Sequence, residues 1–135
     1  MKDIAITGHE KVDESVWLEI ERDFKITVRG DIKDFISKYS GGHPIKDVII
    51  VDGEEYEVRV FLSLNPQSKY YYIVEPMRFF LQKTNGKIVP IAIDSGDNYY
   101  CANNETGKVY YWSAGQDMYY CIAESLEIFA GLFNV

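Results

Sequence analysis

The chain has 135 residues, of which 47% are hydrophobic and 26% are charged, and its 21 acidic residues outnumber 14 basic ones for a net charge of −7. A chain of this size and hydrophobicity can bury a core of its own, which excludes an intrinsically disordered protein. The acidic balance argues against a nucleic-acid ligand, because such binding depends on Lys and Arg at phosphates. No apolar run approaches the ~18 residues of a membrane span, and no apolar signal segment follows Met1, so we expect one cytoplasmic domain over residues 1–135 that binds no membrane.

The first part of the chain predicts two amphipathic helices. Apolar residues recur at helical spacing over about 13–25, where Asp13 can cap the first turn, and over about 31–40, which ends at Gly41-Gly42. The apolar stripes consist of Val16, Trp17, Ile20 and Phe24 in the first helix and of Ile32, Phe35, Ile36 and Tyr39 in the second. Each helix therefore has one face that we expect to be buried.

The hydropathy period changes to two from Val48 onward. Strands are predicted over 48–51 and 56–62, and the intervening Asp52-Gly53 is a strong hairpin signal. Further strands are predicted at about 88–93, 98–102 and 108–112, and a last helix over about 122–133. The stretch 70–83 fits both classes, because three consecutive tyrosines favour a strand whereas later apolar residues share a helical face; we favour a short helix from about 76.

The residues that could bind a metal are too few or wrongly spaced. Cys101 and Cys121 have no Cys-x-x-Cys spacing, and we expect both to be reduced, buried thiols on half-buried strands. A twelve-residue calcium loop counted from Asp94 places Glu105 correctly at position twelve. It also places Gly96 at position three, where an oxygen ligand is needed, and Tyr99 at position six, where a glycine is needed. We therefore expect neither a metal nor a cofactor.

The loop Asp94-Ser95-Gly96-Asp97-Asn98 is the densest cluster of polar and turn residues. We interpret it as a connection between strands in which Gly96 supplies a positive φ and the Asp94 carboxylate accepts hydrogen bonds from nearby amides. A hydrolase that uses Asp94 and Asp97 is a distant alternative, because no Ser or Cys nucleophile with a His base accompanies them. No catalytic residue is predicted.

Two features suggest a surface that contacts another protein. Neighbouring residues of a strand point to opposite faces, so the adjacent tyrosines should each present one ring outward, and Tyr100 and Tyr111 are predicted contacts. Residues 94–135 carry six acids and one base, and within them Asp97, Glu105 and Asp117 are the predicted contacts for a basic partner. The alternatives are that the outer rings pack under a helix or loop and that the acids only keep the domain soluble.

Three motifs in sequence order resemble one known family. They are Val89-Pro90-Ile91-Ala92-Ile93, then Asp94-Ser95-Gly96-Asp97-Asn98, then Gly107-Lys108-Val109-Tyr110-Tyr111-Trp112. Together they are similar to the SUKH superfamily, specifically the group of the yeast cell-wall-assembly regulator and of bacterial immunity proteins from polymorphic toxin systems. The resemblance covers about residues 13–133. The chain departs from it at Val28-Arg29-Gly30, where a hydrophobic residue and Pro are usual, and at Asp97, where a second Gly is frequent.

The resemblance implies an α+β domain with a mixed, roughly six-stranded sheet, helices packed on one face, and no known catalytic residues. It also matches Asp94, Gly96, Asn98 and Trp112 to positions that can hold the strands together. The function it implies is that of an immunity protein, which neutralises a cognate toxin domain with a basic face, such as a nuclease, by protein contact. The alternative is a non-catalytic intracellular scaffold or regulatory binding module of the same fold.

Overall fold

The computed structural model describes residues 3–134, within which the chain forms four α-helices, nine strands and a final 3₁₀ turn. The helices are α1 (Ser15–Phe24), α2 (Gly30–Tyr39), α3 (Val74–Thr84) and α4 (Leu126–Gly131), and Leu132–Asn134 forms the 3₁₀ turn. The strands are β1 (Ile6–Thr7), β2 (His43–Pro44), β3 (Val48–Val51), β4 (Glu54–Glu57), β5 (Val60–Phe61), β6 (Ile88–Ile93), β7 (Tyr99–Asn103), β8 (Val109–Ser113) and β9 (Met118–Ala123). The α+β class is confirmed.

The largest sheet among these residues is antiparallel and has the strand order β5-β6-β7-β8-β9. Two-stranded sheets β1-β2 and β3-β4 accompany it, and a single parallel bridge joins Ser63 to Tyr72. Pro90 lies inside β6, and a proline has no N–H to donate to the hydrogen bonds between strands. The register of β6 with β7 shifts immediately after Pro90, which forms a bulge. The bulge accommodates the proline.

The predicted hairpin at Asp52-Gly53 is confirmed. Both turn residues have positive φ, 51° and 82°, as a two-residue turn between twisted strands requires. The strand predicted over 56–62, however, is two strands: Glu57 in β4 pairs with Val48, whereas Val60 in β5 pairs with Ile93 of the large sheet. The chain changes sheets at Val58-Arg59, which the continuous alternation of the sequence does not show.

The ambiguous stretch 70–83 is helical from Val74 onward, so the prediction of a helix is confirmed with a start two residues earlier. Pro76 lies in the first turn of α3, where its missing N–H has no intrahelical partner to lose. The helix ends at Thr84, and the next residue, Asn85, caps it with a left-handed φ of 56°.

The helix predicted over 122–133 starts too early. Ile122 and Ala123 belong to β9, and α4 begins at Leu126, where the Ser125 side chain accepts a hydrogen bond of 3.1 Å from the Ile128 amide. The apolar residues of strand and helix run together in the sequence, and the cap at Ser125 separates them.

The large sheet is covered on both faces. Tyr100 and Ala102 of β7 point into the main core with Phe129 of α4, together with residues of α1 and α2. Cys101 and Trp112 point to the other face, where Phe80 of α3 packs against them in a smaller cluster. α3 is therefore an exception to the expected placement of the helices on one face.

The two cysteines differ in exposure. Cys101 is buried beneath α3, and burial raises the pKa of its thiol. Cys121 is exposed on β9, so the prediction of a buried thiol is wrong at that position. Cys121 lies opposite Tyr110 on the α3 face of the last strand, outside the cluster in which Phe80 covers Cys101 and Trp112, so its side chain is uncovered. Among residues 3–134, no helix has the length and apolar character needed to cross a membrane.

Candidate partner-binding site

The loop between β6 and β7 is held by Asp94. Its Oδ1 accepts hydrogen bonds from the amides of Gly96 at 2.9 Å and Asn98 at 2.8 Å, as predicted from the sequence. The left-handed residue of the loop is Asp97, with φ 64°, and Gly96 does not have positive φ. The predicted role of Gly96 is therefore wrong, because Asp97 takes the strained conformation, which Asp tolerates better than most residues.

Asp94 and Asn98 also connect this loop to its neighbours. The Tyr111 hydroxyl donates to Asp94 Oδ2 at 2.8 Å, and Asn98 Oδ1 accepts from the Ala114 amide at 2.9 Å in the turn that follows β8. The Asp94 carboxylate thus has protein donors at both oxygens. Across residues 3–134, no cluster of His, Cys, Asp or Glu has an arrangement that could hold a metal ion.

Tyr100 is unable to contact a partner. Its side chain is 0% exposed, and its hydroxyl donates to the main-chain oxygen of Glu57 at 2.6 Å. Burial is the main cause that raises its pKa, followed by the nearby Tyr111 hydroxyl and Asp94 carboxylate. The prediction of Tyr100 as a contact residue is wrong, because Tyr100 is the member of the Tyr99-Tyr100 pair whose ring points into the core.

Tyr111 lies at the boundary of the core. Its ring is half-buried and packs edge-on against Tyr56 of β4, with ring centroids 5.3 Å apart. Burial, and then the hydrogen bond to Asp94, raise its pKa. Tyr120 lies opposite Tyr111 on β9 and is 37% exposed. The ring that is offered to solvent here is therefore Tyr120, which the sequence reasoning did not single out.

The three predicted acidic contacts do not form one cluster. Asp97 and Asp117 lie in loops at one end of the large sheet, whereas Glu105 lies in the β7–β8 loop at the other end. The main-chain oxygen of Glu105 accepts a hydrogen bond of 2.7 Å from Arg29, in the segment where the chain departs from the family pattern. Arg29 thus fixes the entry to α2 against this loop.

Asp117 is already occupied by two partners. Its Oδ1 accepts from Trp112 Nε1 at 2.9 Å, and its Oδ2 accepts from Lys83 Nζ of α3 at 2.7 Å. The Lys83 hydrogen bond and then the Trp112 hydrogen bond hold the pKa of this carboxyl below its usual value. Trp112 is 6% exposed and packs against Phe80 with ring centroids 5.2 Å apart, so it joins α3 to the sheet.

Asp97 borders a shallow apolar cleft of about 340 Å³ between α3 and the large sheet. Phe79, which is 46% exposed, and the rings of Tyr99 and Trp112 form its floor, and Glu75 lies on the rim. The Glu75 carboxylate pairs with Arg78 at 2.5 Å. Asp97 is exposed and belongs to none of the ion pairs between described residues.

A second acidic surface lies on the hairpin formed by β3 and β4, here called the acidic hairpin (Val48–Glu57). It carries four carboxylates within six residues, none of which belongs to an ion pair between described residues: Asp52, Glu54, Glu55 and Glu57. The Glu57 carboxylate accepts from the Ser95 amide at 2.8 Å and from the Ser95 hydroxyl at 2.6 Å, which joins the hairpin to the β6–β7 loop. The density of acids around Asp52-Gly53 is visible in the sequence, although the reasoning from sequence placed the contacts farther along the chain.

The acidic hairpin and the neighbouring tyrosines form one continuous surface. The Tyr56 ring of the hairpin contacts the ring of Tyr111, which lies opposite Tyr120 on β9. Burial raises the pKa of Tyr56, and the Glu54 and Asp52 carboxylates and the Tyr120 hydroxyl raise it further. On the outer side of the hairpin, Ile50 is 62% exposed beside its cross-strand neighbour Glu55. Carboxylates around exposed apolar and aromatic side chains can bind a basic protein surface, and no nucleophile with an activating base accompanies them.

Comparison with known proteins identifies the family. The model of the SMI1 / KNR4 family (SUKH-1) matches residues 11–131. A crystal structure of a protein from Pseudomonas syringae pv. tomato superposes with a TM-score of 0.58 at 21% sequence identity, covering 94% of this chain and 86% of that one, and it shows the same fold. No curated protein matches the sequence. The family match spans all four helices and the whole of the large sheet, and the chain therefore belongs to the SMI1 / KNR4 (SUKH-1) family.

Proposed function

We propose that this protein is an immunity protein, which acts in the cytoplasm of the cell that makes it and neutralises a cognate toxin domain by binding to it. The family to which the chain belongs is known for immunity and regulatory roles and is generally non-catalytic. The observation that carries the proposal is the acidic hairpin, whose four carboxylates have no cationic side chain within ion-pair distance among the described residues.

The chemistry of this surface supports a basic protein as the partner. Uncompensated like charges destabilise the folded state by mutual repulsion, and a partner that supplies Lys or Arg removes that repulsion on binding. Toxins that bind nucleic acid carry such a basic face, because their substrate is polyanionic. An acidic protein that covers this face blocks access of the substrate and needs no catalytic step.

The proposal is tested first on the genes adjacent to the one for this chain, where an immunity role predicts a large secreted protein whose variable C-terminal domain is the toxin. That domain is produced in a bacterial host with or without this chain, and survival is scored. We expect survival in the presence of the chain and a stoichiometric complex of the two purified proteins. Continued killing together with the absence of a complex would contradict the proposal and favour the regulatory or scaffold role.

The contact surface is tested in the same assay by neutralising three acids of the hairpin. The variant Asp52→Asn, Glu54→Gln, Glu55→Gln should bind the toxin more weakly, because it removes charge that the partner complements. The matched control removes the same charge from α1 and the residue that precedes it through Glu14→Gln, Glu19→Gln and Asp23→Asn, and should bind as tightly as the unmodified protein. Equal weakening by both variants would show that net charge rather than the hairpin matters.

A further inference from the structure

The two edge strands of the large sheet differ in whether their outer backbone groups are hydrogen-bonded. β5, at one edge, has two residues that are both buried, and the segment after α2 covers it. The Phe61 amide donates to the Gly42 oxygen at 2.9 Å, and the Gly41 amide donates to the Leu62 oxygen at 3.4 Å. The backbone at this edge is therefore already paired.

β9, at the other edge, is long and unprotected. It pairs with β8 on one side, and no backbone hydrogen bond among the described residues joins its other side to another segment. Its six residues, Met118–Ala123, include no charged residue and no proline. Met118 is 50% exposed and Cys121 is also exposed. Proteins ordinarily guard such an edge with charge, proline, bulges or very short strands, because free N–H and C=O groups pair with any available strand.

The one irregularity of this edge is confined to its end. The register of β8 with β9 shifts between Val109 and Tyr110, so that the bulge falls at Ile122. The pairs from Ser113–Met118 to Tyr110–Cys121 are regular. Most of the outer edge of β9 is therefore a straight ladder available for a further strand.

We propose that β9 binds an extended segment of the partner protein as an additional strand, and that this segment alternates basic and apolar residues. The inference rests on the proposed function in taking the partner to be a basic protein. It goes further in naming the backbone surface that the partner occupies and the side-chain pattern that fits it.

The alternation follows from the different charge on the two faces beside β9. Tyr120 points to the face of the acidic hairpin, because it lies opposite Tyr111, whose ring contacts Tyr56. On that face, alternate side chains of an added strand would lie on the same side of the sheet as the hairpin carboxylates, so basic side chains suit it. Tyr119 points to the α3 face, where Lys83 and Lys87 line a groove with the ring of Tyr110. Apolar side chains fit that face, because basic ones would meet Lys87 and a Lys83 that is already paired with Asp117.

A second copy of this chain does not fit the same edge. Pairing of β9 with β9 of another copy would continue the sheet and bring two acidic hairpins to adjacent positions on one face. Each hairpin has four carboxylates, and each chain has a net charge of −7, so the pairing places like charges together. A basic strand has the opposite electrostatic effect.

The probe for this proposal is an eight-residue synthetic peptide in which Lys and Val alternate. Two control peptides carry the same charge: a block peptide with four Lys followed by four Val, and a fully N-methylated form of the alternating peptide, which has no backbone N–H donor. Affinity is measured by fluorescence anisotropy, and protection of the β9 amides by hydrogen exchange. We expect the alternating peptide to bind about tenfold more tightly than either control and to protect amides of β9 from exchange.

Matched variants separate strand addition from attraction by charge. Tyr120→Lys places a cation directly opposite a peptide Lys, and Leu18→Lys makes the same change of charge at an exposed position of α1, outside the hairpin and the sheet edge. With both variants shown to be folded by circular dichroism, we expect Tyr120→Lys to weaken binding about tenfold and Leu18→Lys to weaken it by less than threefold.

Three results would overturn the proposal. They are equal binding of the control peptides, equal effects of the two variants, and protection of β9 amides that rises with protein concentration in the absence of peptide, as pairing with a second copy would produce. The toxin is absent from this experiment. Failure of strand addition is therefore distinguishable from failure of toxin neutralisation.

Discussion

At the scale of single residues, the tyrosine hydroxyls have contrasting environments. The Tyr100 hydroxyl is buried and donates to a main-chain oxygen at 2.6 Å, whereas the Tyr119 hydroxyl is buried with no hydrogen-bond partner within the described structure. A buried hydroxyl without a partner loses its hydration without compensation. Tyr100 and Tyr119 therefore differ in whether the buried hydroxyl has a hydrogen-bond partner.

Removal of the Tyr119 hydroxyl should stabilise the protein. We expect Tyr119→Phe to raise the free energy of unfolding by about 1 kcal/mol, because it deletes a polar group that has no partner, and Tyr100→Phe to lower it by about 1 kcal/mol. Urea denaturation at neutral pH measures both. A loss of stability in Tyr119→Phe would show that its hydroxyl has a favourable interaction.

The same substitution should alter stability in alkali. Burial raises the pKa of Tyr119 from 10.0 to about 12, so the folded protein holds this proton more tightly than the unfolded chain does. Stability is therefore independent of Tyr119 ionisation below pH 10 and falls as the pH rises from 10 towards 12, because the unfolded chain loses this proton first. Tyr119→Phe should therefore show a shallower decline of stability between pH 10 and pH 12, as measured by urea denaturation. An unchanged slope would contradict this assignment.

The indole of Trp17 lies on the buried face of α1, as predicted from its helical spacing. The side chain is 4% exposed, and its Nε1 donates to Ser37 Oγ of α2 at 3.3 Å. We expect Trp17→Ala to lower the free energy of unfolding by about 3–5 kcal/mol through lost burial and a cavity. Leu18→Ala is the control on the same helix, because Leu18 is 70% exposed, and should cost less than about 0.5 kcal/mol. Similar losses in the two variants would contradict the assigned orientation of α1.

At the scale of elements, α3 depends on contacts at two points of the sheet. Phe80 packs against Cys101 and Trp112 at its centre, and Lys83 near its end pairs with Asp117 in the β8–β9 turn. Asp117 also accepts the Trp112 indole N–H. One carboxylate thus joins a helix, a strand and a turn.

The role of Asp117 predicts a dependence of stability on acid. Its pKa is held below the ordinary value of 3.8, first by Lys83 and then by Trp112, so its stabilising contribution is present above that value and is lost as the pH falls below it. We expect Asp117→Asn to be less stable than the native protein at pH 7 and to approach it near pH 3, as followed by thermal melting. Asp97→Asn, at an exposed position without an ion pair in the described chain, should change little. A constant difference between Asp117→Asn and the native protein at every pH would contradict the linkage.

At the scale of the whole molecule, the distribution of charge favours fast association with a basic partner. Asp52, Glu54 and Glu55 of the acidic hairpin, and Asp97, are exposed and in no ion pair among the described residues, whereas Asp117 is neutralised by Lys83. Charges at the rim of an interface mainly change the association rate and its dependence on salt.

Stopped-flow association with the toxin domain at several salt concentrations tests this distribution. The variant Asp52→Asn, Glu54→Gln, Glu55→Gln should associate more slowly than the native protein and with a flatter dependence on salt, while dissociation changes less. The α1 control variant Glu14→Gln, Glu19→Gln, Asp23→Asn should keep the native salt dependence. An association rate of the native protein that does not depend on salt would contradict steering by the acidic surface and favour contacts through Tyr120 and Met118.

The sequence by itself determined the elements whose signals are local. Helical spacing located α1 and α2, Asp52-Gly53 located the hairpin, and the motif at Asp94–Asn98 identified both the family and the carboxylate that holds its loop. These features depend on residues within one or two turns of each other, so periodicity and turn chemistry are sufficient to predict them.

Only the tertiary structure decided which side chains are available to a partner. Tyr100 and Tyr111 are the same residue type, and each follows another tyrosine in a strand. Tyr100 is nevertheless buried in the core, whereas Tyr111 lies at the boundary of the core. Strand order likewise decides that Asp97 and Glu105 lie at opposite ends of the large sheet and that β9 is an open edge. Strand order arises from contacts between segments distant in sequence, and alternation within one strand carries no information about which neighbour, if any, lies beside it.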